Sequence, residues 1–547
     1  MTTTAERSAF STGQEAREID AVVVGAGFAG LYMLYKLREL GLSVQAYEAG
    51  GGLGGTWYWN RYPGARVDVK SMYYNYSFDH ELEQEWEWTE KLPPQPELLR
   101  YINHVADRFD LRKDVRLRTR VTAAVYDESA ARWLITTDQG EVVSARFAIM
   151  ATGCLSAPKM VEVPGVETFR GRSFHTGNWP EQDVDFSGRR VAVIGTGSSG
   201  VQVIPLVAEV ADQLTVFQRT ANYVLPAGNH PIDPEFQRDI KARYREVRKA
   251  NRESSFGIAR PEATTGALEV SEEERNAFYR AVWEDKDSEL VSMLTGFTDT
   301  LTDEAANETA AQFIRDRIAE IVTDPAVARL LQPSGLFGVK RPVLGTDYYA
   351  TFNRPDVRLV DVSATPLTAV TESGLETTQE SFEFDDIIYA TGYDAMTGAL
   401  DAVDIRGRGG RSLREKWADG PITYLGLAVA GFPNLFTITG PGSPAVLSNM
   451  LVSIEQHVDW IADAVEVMRA EGATTMEAEG DAEREWTRHV GEAGDLTLYP
   501  KVDSWYVGSN VPGKPRVMYA YIGGVGAYRE KCDQVAADHY AGFTLTR

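Results

Sequence analysis

Apolar and polar positions along this chain spell the same short phrase twice. Residues 20–24 form a β-branched run of buried-strand character, and 31–40 carry apolar residues at helical spacing until Gly41 stops them. Residues 43–47 read as a second strand. Further on, 190–194 repeat the first strand, 201–210 the helix and 214–218 the second strand. A glycine-rich turn joins strand to helix each time. The first is Gly25-Ala26-Gly27-Phe28-Ala29-Gly30, the second Gly195-Thr196-Gly197-Ser198-Ser199-Gly200. Strand, glycine turn, helix and strand make a dinucleotide-binding pattern. The glycines permit a tight turn and let a pyrophosphate approach the backbone at the positive end of the helix.

The remaining pattern organises around these two phrases. Residues 54–68 are dense in glycine and aromatics and read as a ligand-facing loop. Pro93, Pro94 and Pro96 interrupt the chain before a helix at 97–109. Strand-like runs at 116–126, 133–137 and 142–150 end in Ala151-Thr152-Gly153, and strands at 357–360 and 384–389 end in a second Ala390-Thr391-Gly392. Residues 231–332 are charged and helix-prone, with Ser271 and the three glutamates after it as a helix start. The expected fold class is α/β: two Rossmann-like dinucleotide-binding domains with a helical insertion in the second. The first domain is expected to be discontinuous, 19–153 with 390–547; the second spans 154–230 and 333–389, and 231–332 is the insertion. Residues 1–18 are polar and read as a loose tail. An amphipathic helix is expected at 454–471. The glycine- and proline-rich 440–444 is either a plain loop or the opening of a helix whose dipole faces a flavin ring.

Charge narrows the function. The 547 residues carry a formal −24, which argues against a nucleic-acid or anionic-membrane partner. Two cysteines, Cys154 and Cys532, exclude a disulfide framework and suit a reducing cytoplasm. No apolar run is long enough to span a bilayer, and the seven histidines suggest no metal site. The informative difference lies at the ends of the two phrases. Glu48 stands 23 residues after Gly25, whereas Arg219 stands 24 after Gly195. A carboxylate accepts from free ribose hydroxyls and repels a 2′-phosphate; a guanidinium pairs with that phosphate. The first unit is thus expected to hold FAD and the second NADPH, as in a flavoprotein reduced by NADPH. The absence of a cysteine pair excludes a disulfide reductase and leaves oxygen, a quinone or another protein as electron acceptor.

Between the two units lies Phe169-Arg170-Gly171-Arg172-Ser173-Phe174-His175-Thr176-Gly177-Asn178-Trp179-Pro180. With the stretches Gly54 to Arg66, Ala390 to Ala395 and Ser504 to Pro515, this resembles the fingerprint of the type I Baeyer–Villiger monooxygenases, over about residues 20–545. Within that family the chain is more similar to the phenylacetone and steroid monooxygenases than to cyclohexanone monooxygenase. The resemblance implies FAD, NADPH and O2 as reactants. It implies insertion of oxygen beside the carbonyl of a hydrophobic cyclic, aryl or steroidal ketone, by a flavin peroxide that attacks as an anion. Arg341 would keep that anion charged, with Asp68 orienting it. FAD would contact Gly25, Gly27, Phe28, Ala29, Gly30, Glu48, Gly55, Thr56, Trp57, Asp68, Tyr74, Val121 and Met450. NADP would contact Arg66, Val67, Asp68, the turn from Gly195 to Gly200, Arg219, Thr220, Lys340, Arg341 and Trp505, the last closing over nicotinamide and substrate. Val69, Cys154, Leu155, Pro342, Val446 and Leu447 would line the substrate pocket. Gly171, His175 and Trp179 are read as a hinge or latch between the domains. The expected protein is a cytoplasmic monomer. An S- or N-oxygenase, or a nucleotide-sensing flavoprotein without turnover, are the alternatives.

Overall fold

The structure, a computed structural model, describes residues 16–547. Two parallel-cored sheets carry the two sequence phrases. The first holds eight strands. Its path runs Asp404–Arg406, Val121–Asp127, Arg132–Thr137, Val142–Met150, Arg17–Val24, Val44–Tyr47, Val115–Arg116, with Leu435–Thr437 pairing beside Val142–Met150. The second is wholly parallel: Val357–Asp361, Gln213–Gln218, Arg190–Ile194, Asp386–Tyr389, Arg172–His175. The first strands of both phrases sit inside their sheets, and Val22, Val23, Val191 and Val193 are fully buried. Near-continuous β-branched runs are what a strand covered on both faces requires.

Between the paired strands Val224–Pro226 and Val343–Gly345 the chain leaves the second sheet for five helices, Pro234–Ala242, Tyr244–Glu253, Glu272–Glu284, Glu304–Ile321 and Pro325–Leu331. Ser271 starts the third of these with a capping box closed by Glu274. The strand pair forms a neck, and Lys340, Arg341 and Pro342 lie at its return side. No helix among the described residues is long and apolar enough to cross a membrane.

The two Ala-Thr-Gly triplets do the same work in both sheets. A Cβ on Gly25, at φ +105°, would collide with the carbonyl of Ala151; one on Gly195, at φ +111°, would collide with that of Ala390. Each alanine methyl also faces the third glycine of its turn, Gly30 or Gly200. The triplet therefore ends the strand beside each glycine turn, where only small residues fit.

Several boundaries differ from the sequence reading. Of the expected tail, residues 1–15 lie outside the described residues, but Arg17 and Glu18 already pair with Val143 and Ser144. The run at 116–126 is two strands, one parallel to Val44–Tyr47 and one antiparallel to Arg132–Thr137; Arg118, at φ 52°, breaks it. The helix after the prolines is Gln95–Arg108, since Pro96 is accommodated in its first turn. Gly440 to Pro444 opens no α-helix. A three-residue 3-10 turn, Ala445–Leu447, follows it, and the long helix Met450–Glu471 starts where the Asn449 side chain accepts from the Leu451 N–H. The fingerprint segment is not merely a connecting loop. Arg172–His175 is the edge strand of the second sheet.

That edge is tied down by Asp386, whose side chain is 0% exposed. Its carboxylate takes two bonds from Arg172, at 2.6 and 2.7 Å, and also bonds Arg189. Removing the acid would leave two arginines against a buried gap. Asp386→Ala is expected to cost about 3 kcal/mol, toward the lower end for a broken buried pair because both arginines reach solvent. Urea denaturation checks this, and an unchanged midpoint would refute it.

Candidate active site

The first glycine turn is held open by its own acid. Glu48 accepts from the Ala26 N–H at 2.9 Å and the Gly50 N–H at 2.7 Å. The helix Phe28–Glu39 has no side-chain cap, so its leading N–H groups face outward at the turn. Gly55 comes close enough that a Cβ on Gly27 would stand 3.3 Å from its Cα. Thr56 and Trp57 begin the short helix Thr56–Trp59. Trp57 is buried with its indole N–H unpartnered, edge-on to Tyr74 at 6.1 Å, and Tyr74 meets Phe28 at 5.6 Å. Val121 packs with Tyr47 and Met150 in the core behind the turn. Bare backbone, an uncapped helix and an orphaned indole N–H fit a flavin dinucleotide.

The second turn carries the opposite electrostatics. Its helix, Ser198–Val210, also lacks a side-chain cap, and the space beside the Gly197 Cα is open. The Thr196 hydroxyl donates to the Thr220 carbonyl at 3.2 Å, fixing the turn to the segment after Gln213–Gln218. Arg219 and Thr220 are exposed there, and Arg219 has no ion-pair partner among the described residues. Burial, then the Arg219 charge, push the Lys340 ammonium below its usual pKa. Two cations turned toward one another are arranged for an anion, as a 2′-phosphate would be. Arg66 is differently placed: its guanidinium is taken by Glu90 and the Leu92 carbonyl, both at 3.0 Å, while its own carbonyl accepts from Gln202 of the second helix.

Arg341 and Asp68 meet between the two turns. Arg341 Nε and Nη2 donate to the two Asp68 oxygens at 2.9 and 3.0 Å, and Nη1 donates to the Val446 carbonyl at 3.0 Å. The arginine side chain keeps 24% of its surface accessible. Burial works to lower its pKa, but the Asp68 charge and hydrogen bonds, then Tyr506, outweigh it and hold the guanidinium above its usual value. It is a permanent cation with a fixed plane. Val67 and Val69, buried on either side of Asp68, pack with Trp57 and Tyr74. Cys154, Val446 and Leu447 form a separate apolar cluster with Tyr499, Tyr506 and Tyr519, against which Leu155, Met450 and Trp505 pack. Val69 thus packs in a different cluster from Cys154, Val446 and Leu447, and Met450 touches both. Burial pushes the Cys154 thiol up to about 12, so it is an inert small wall. Trp505 lies 3.9 Å from Tyr506, ring centre to ring centre, and is half-buried. Tyr506 is the residue missed from sequence. Its only signal was its place beside Trp505, and burial pushes its phenol up to about 12.

The fingerprint residues knit the two units together. His175 Nδ1 accepts from the Gly177 N–H at 2.9 Å, and Nε2 faces the Lys159 carbonyl and the Thr391 hydroxyl, each at 3.2 Å. Burial lowers its pKa, so the imidazole is neutral and fully engaged, with no capacity left for base catalysis. Gly171 leaves room for the Asp385 carbonyl and the Phe169 ring. Trp179 stacks on Phe174 at 5.1 Å and donates its backbone N–H to the Trp59 carbonyl, in the loop of the first unit. Among the described residues no group of three acids, histidines or cysteines could hold a metal.

Comparison with known proteins decides the family. A flavin-binding monooxygenase-like family model matches residues 18–241. A Baeyer–Villiger monooxygenase of Pseudooceanicola batsensis is 42% identical, with 97% of each chain covered. The chain belongs to the Baeyer–Villiger monooxygenases. A phenazine N-monooxygenase of Lysobacter antibioticus is also 42% identical, over 96% of this chain and 97% of that one. The solved structure of an oxidized steroid monooxygenase bound to NADP superposes with a TM-score of 0.92 at 50% identity, covering 97% of this chain and 99% of the other. The relatives of this chain thus include one named for nitrogen oxidation as well as one named for the Baeyer–Villiger reaction.

Glu48→Ala deprives two buried backbone N–H groups of their acceptor. In the ligand-free chain this is expected to cost about 2–3 kcal/mol. Chemical denaturation measures it, and wild-type stability would mean the turn holds itself.

Proposed function

We propose that this chain is an NADPH- and O2-dependent flavin monooxygenase that inserts one oxygen atom beside the carbonyl of a hydrophobic ketone, giving an ester or lactone. The observation that carries this reading is the Arg341–Asp68 fork, anchored to the Val446 carbonyl beside an apolar cluster. FAD, when bound, supplies the transfer of two electrons from NADPH to O2, so that one oxygen atom enters the ketone and the other leaves as water.

The first turn would hold FAD: Gly25, Gly27 and Gly30 would let its pyrophosphate approach the backbone, Glu48 would meet its ribose, and Trp57, Tyr74 and Met450 would bound the ring. Gly195 to Gly200, Arg219, Thr220 and Lys340 hold NADPH, the two cations on its 2′-phosphate. Arg341 supplies positive charge where oxygen becomes negative as the carbonyl is attacked. Because it cannot release its proton, it stabilises that charge without competing for it. Asp68 fixes the plane of the fork, and the Val446 carbonyl fixes its reach. Cys154, Leu155, Val446 and Leu447 exclude water and hold the apolar body of the ketone. The segment Gly171 to Trp179 couples the two units as they move between the hydride-transfer and oxygen-transfer geometries.

Nitrogen or sulfur oxidation is the second reading, favoured by the 42% identity to the phenazine N-monooxygenase. A neutral oxidant suffices for a lone-pair nucleophile, whereas carbonyl attack needs an anion beside a cation.

Two variants test these roles. Arg341→Ala is expected to leave flavin reduction by NADPH within a few-fold of normal and to lower ester formation by about 10²–10³-fold. Product analysis over cyclic, aryl and steroidal ketones, with sulfides and amines alongside, reads this out; normal ester yield sinks the role given to Arg341. Arg219→Ala is expected to raise the KM for NADPH by about tenfold or more while moving that for NADH little. An unchanged preference removes the 2′-phosphate assignment.

A further inference from the structure

A second concentration of positive charge lies outside the Arg341 site and shares no residue with it. A cavity of about 320 Å³ opens between the segment at Ser77 and the insertion helices Pro234–Ala242 and Tyr244–Glu253. Lys241, Arg245, Arg248, Arg252 and His80 line it against one carboxylate, Glu83. That carboxylate is already committed. Arg248 Nε binds it at 2.9 Å, with both side chains under 8% exposed, and Arg248 also donates to Asn75. The guanidinium plane of Arg248 lies over the Tyr244 ring at 4.8 Å, which fixes it as part of the wall.

Lys241, Arg245 and Arg252 form no close ion pair among the described residues, although Glu87 acts on Lys241 and Glu83 on Arg252 from further away. Lys241 donates to the Gln84 carbonyl at 2.7 Å, a neutral acceptor. The side chains of Arg245 and Arg252 take part in no ion pair or hydrogen bond among the described residues. The facing helix Val525–Ala537 adds Arg529, whose Nε is buried without a partner and whose pKa is lowered by burial and then by Arg252. The acids on the packed helix, Glu455 and Asp459, act on Arg529, and Glu455 also on Arg248, but both are hydrogen-bonded to other groups. Glu455 accepts from both the N–H and the hydroxyl of Ser77, and Asp459 takes the Tyr32 hydroxyl and faces Lys36. Only Asp533 acts on Arg529 from its own helix.

A chain of formal charge −24 has carboxylates to spare, yet this concavity is lined by three guanidinium groups and an ammonium against the single carboxylate of Glu83. Mutual repulsion makes such an arrangement unfavourable until an anion enters, and forked N–H donors suit oxygens set on one centre. The concave form fits a small molecule better than an extended polymer. We propose that this cavity binds a small multivalent oxyanion, a phosphate monoester or polycarboxylate, through Arg245 and Arg252, with Arg248 and Lys241 as its fixed wall.

Isothermal titration of inorganic phosphate and of citrate into the flavin-loaded enzyme saturated with NADP⁺, with chloride balancing ionic strength, tests this. Saturable binding of either probe is expected, weakened about tenfold or more in R245A/R252A. The tighter probe tells phosphate from polycarboxylate. Heats no greater than those of chloride, or equal affinity in the double variant, would overturn the site. Binding seen only before NADP⁺ is added would assign it to Arg219 and Lys340 and overturn it equally.

Discussion

The bond pair between Arg341 and Asp68 is the contact on which the site depends. Its cation comes from the neck of the helical insertion, its anion from the aromatic loop of the first unit, and its third partner, the Val446 carbonyl, from the turn before the long helix. Three stretches separated by hundreds of residues meet at one guanidinium. A half-buried charge would be costly alone, but a two-pronged carboxylate and a carbonyl meet three of its five N–H groups. Tyr506 adds a further contact to the same guanidinium. Positioning and chemistry are therefore the same act: the bonds that make the charge tolerable also aim it.

Around this pair the molecule sorts charge by place. Glu48 closes the first turn on itself, while at the second burial, then the neighbouring Arg219, depress the Lys340 pKa, with Asp503 opposing more weakly. The same backbone geometry thus occurs twice with opposite charge beside it, and the difference is carried by a handful of side chains. His175 illustrates the complementary case. Its two nitrogens are both occupied, so a residue that looks reactive in sequence serves as a rivet.

Much of this was legible beforehand because it rests on local rules. Glycines at Gly25 and Gly195, buried β-branched strands and the change from Glu48 to Arg219 are properties of neighbouring residues. Arg341 was different: before a proline and beside a lysine, nothing local marked it, and only the family resemblance drew attention to it. Tyr506 was passed over because its importance arises from a partner 165 positions away in sequence. The edge strand Arg172–His175 was obscured for a similar reason. Its partner strand Asp386–Tyr389 follows a long excursion, and the acid that secures it lies there. Gly440 to Pro444 failed as a helix start because Asn449, not the glycines, supplies the cap.

The placement of the two Ala-Thr-Gly triplets has a mechanical meaning. The chain passes from the first sheet to the second after Ala151 and returns after Ala390, so the units are joined by two covalent spans. A body attached by one tether can tumble freely; a body attached by two nearby pins keeps chiefly one rotation, about the line through them. Trp179 and Trp59 bridge the units by a backbone hydrogen bond, and Tyr393 reaches across to Asn60 close to the second span. Two covalent spans and these cross-bridges leave the units fewer relative degrees of freedom than a single tether would.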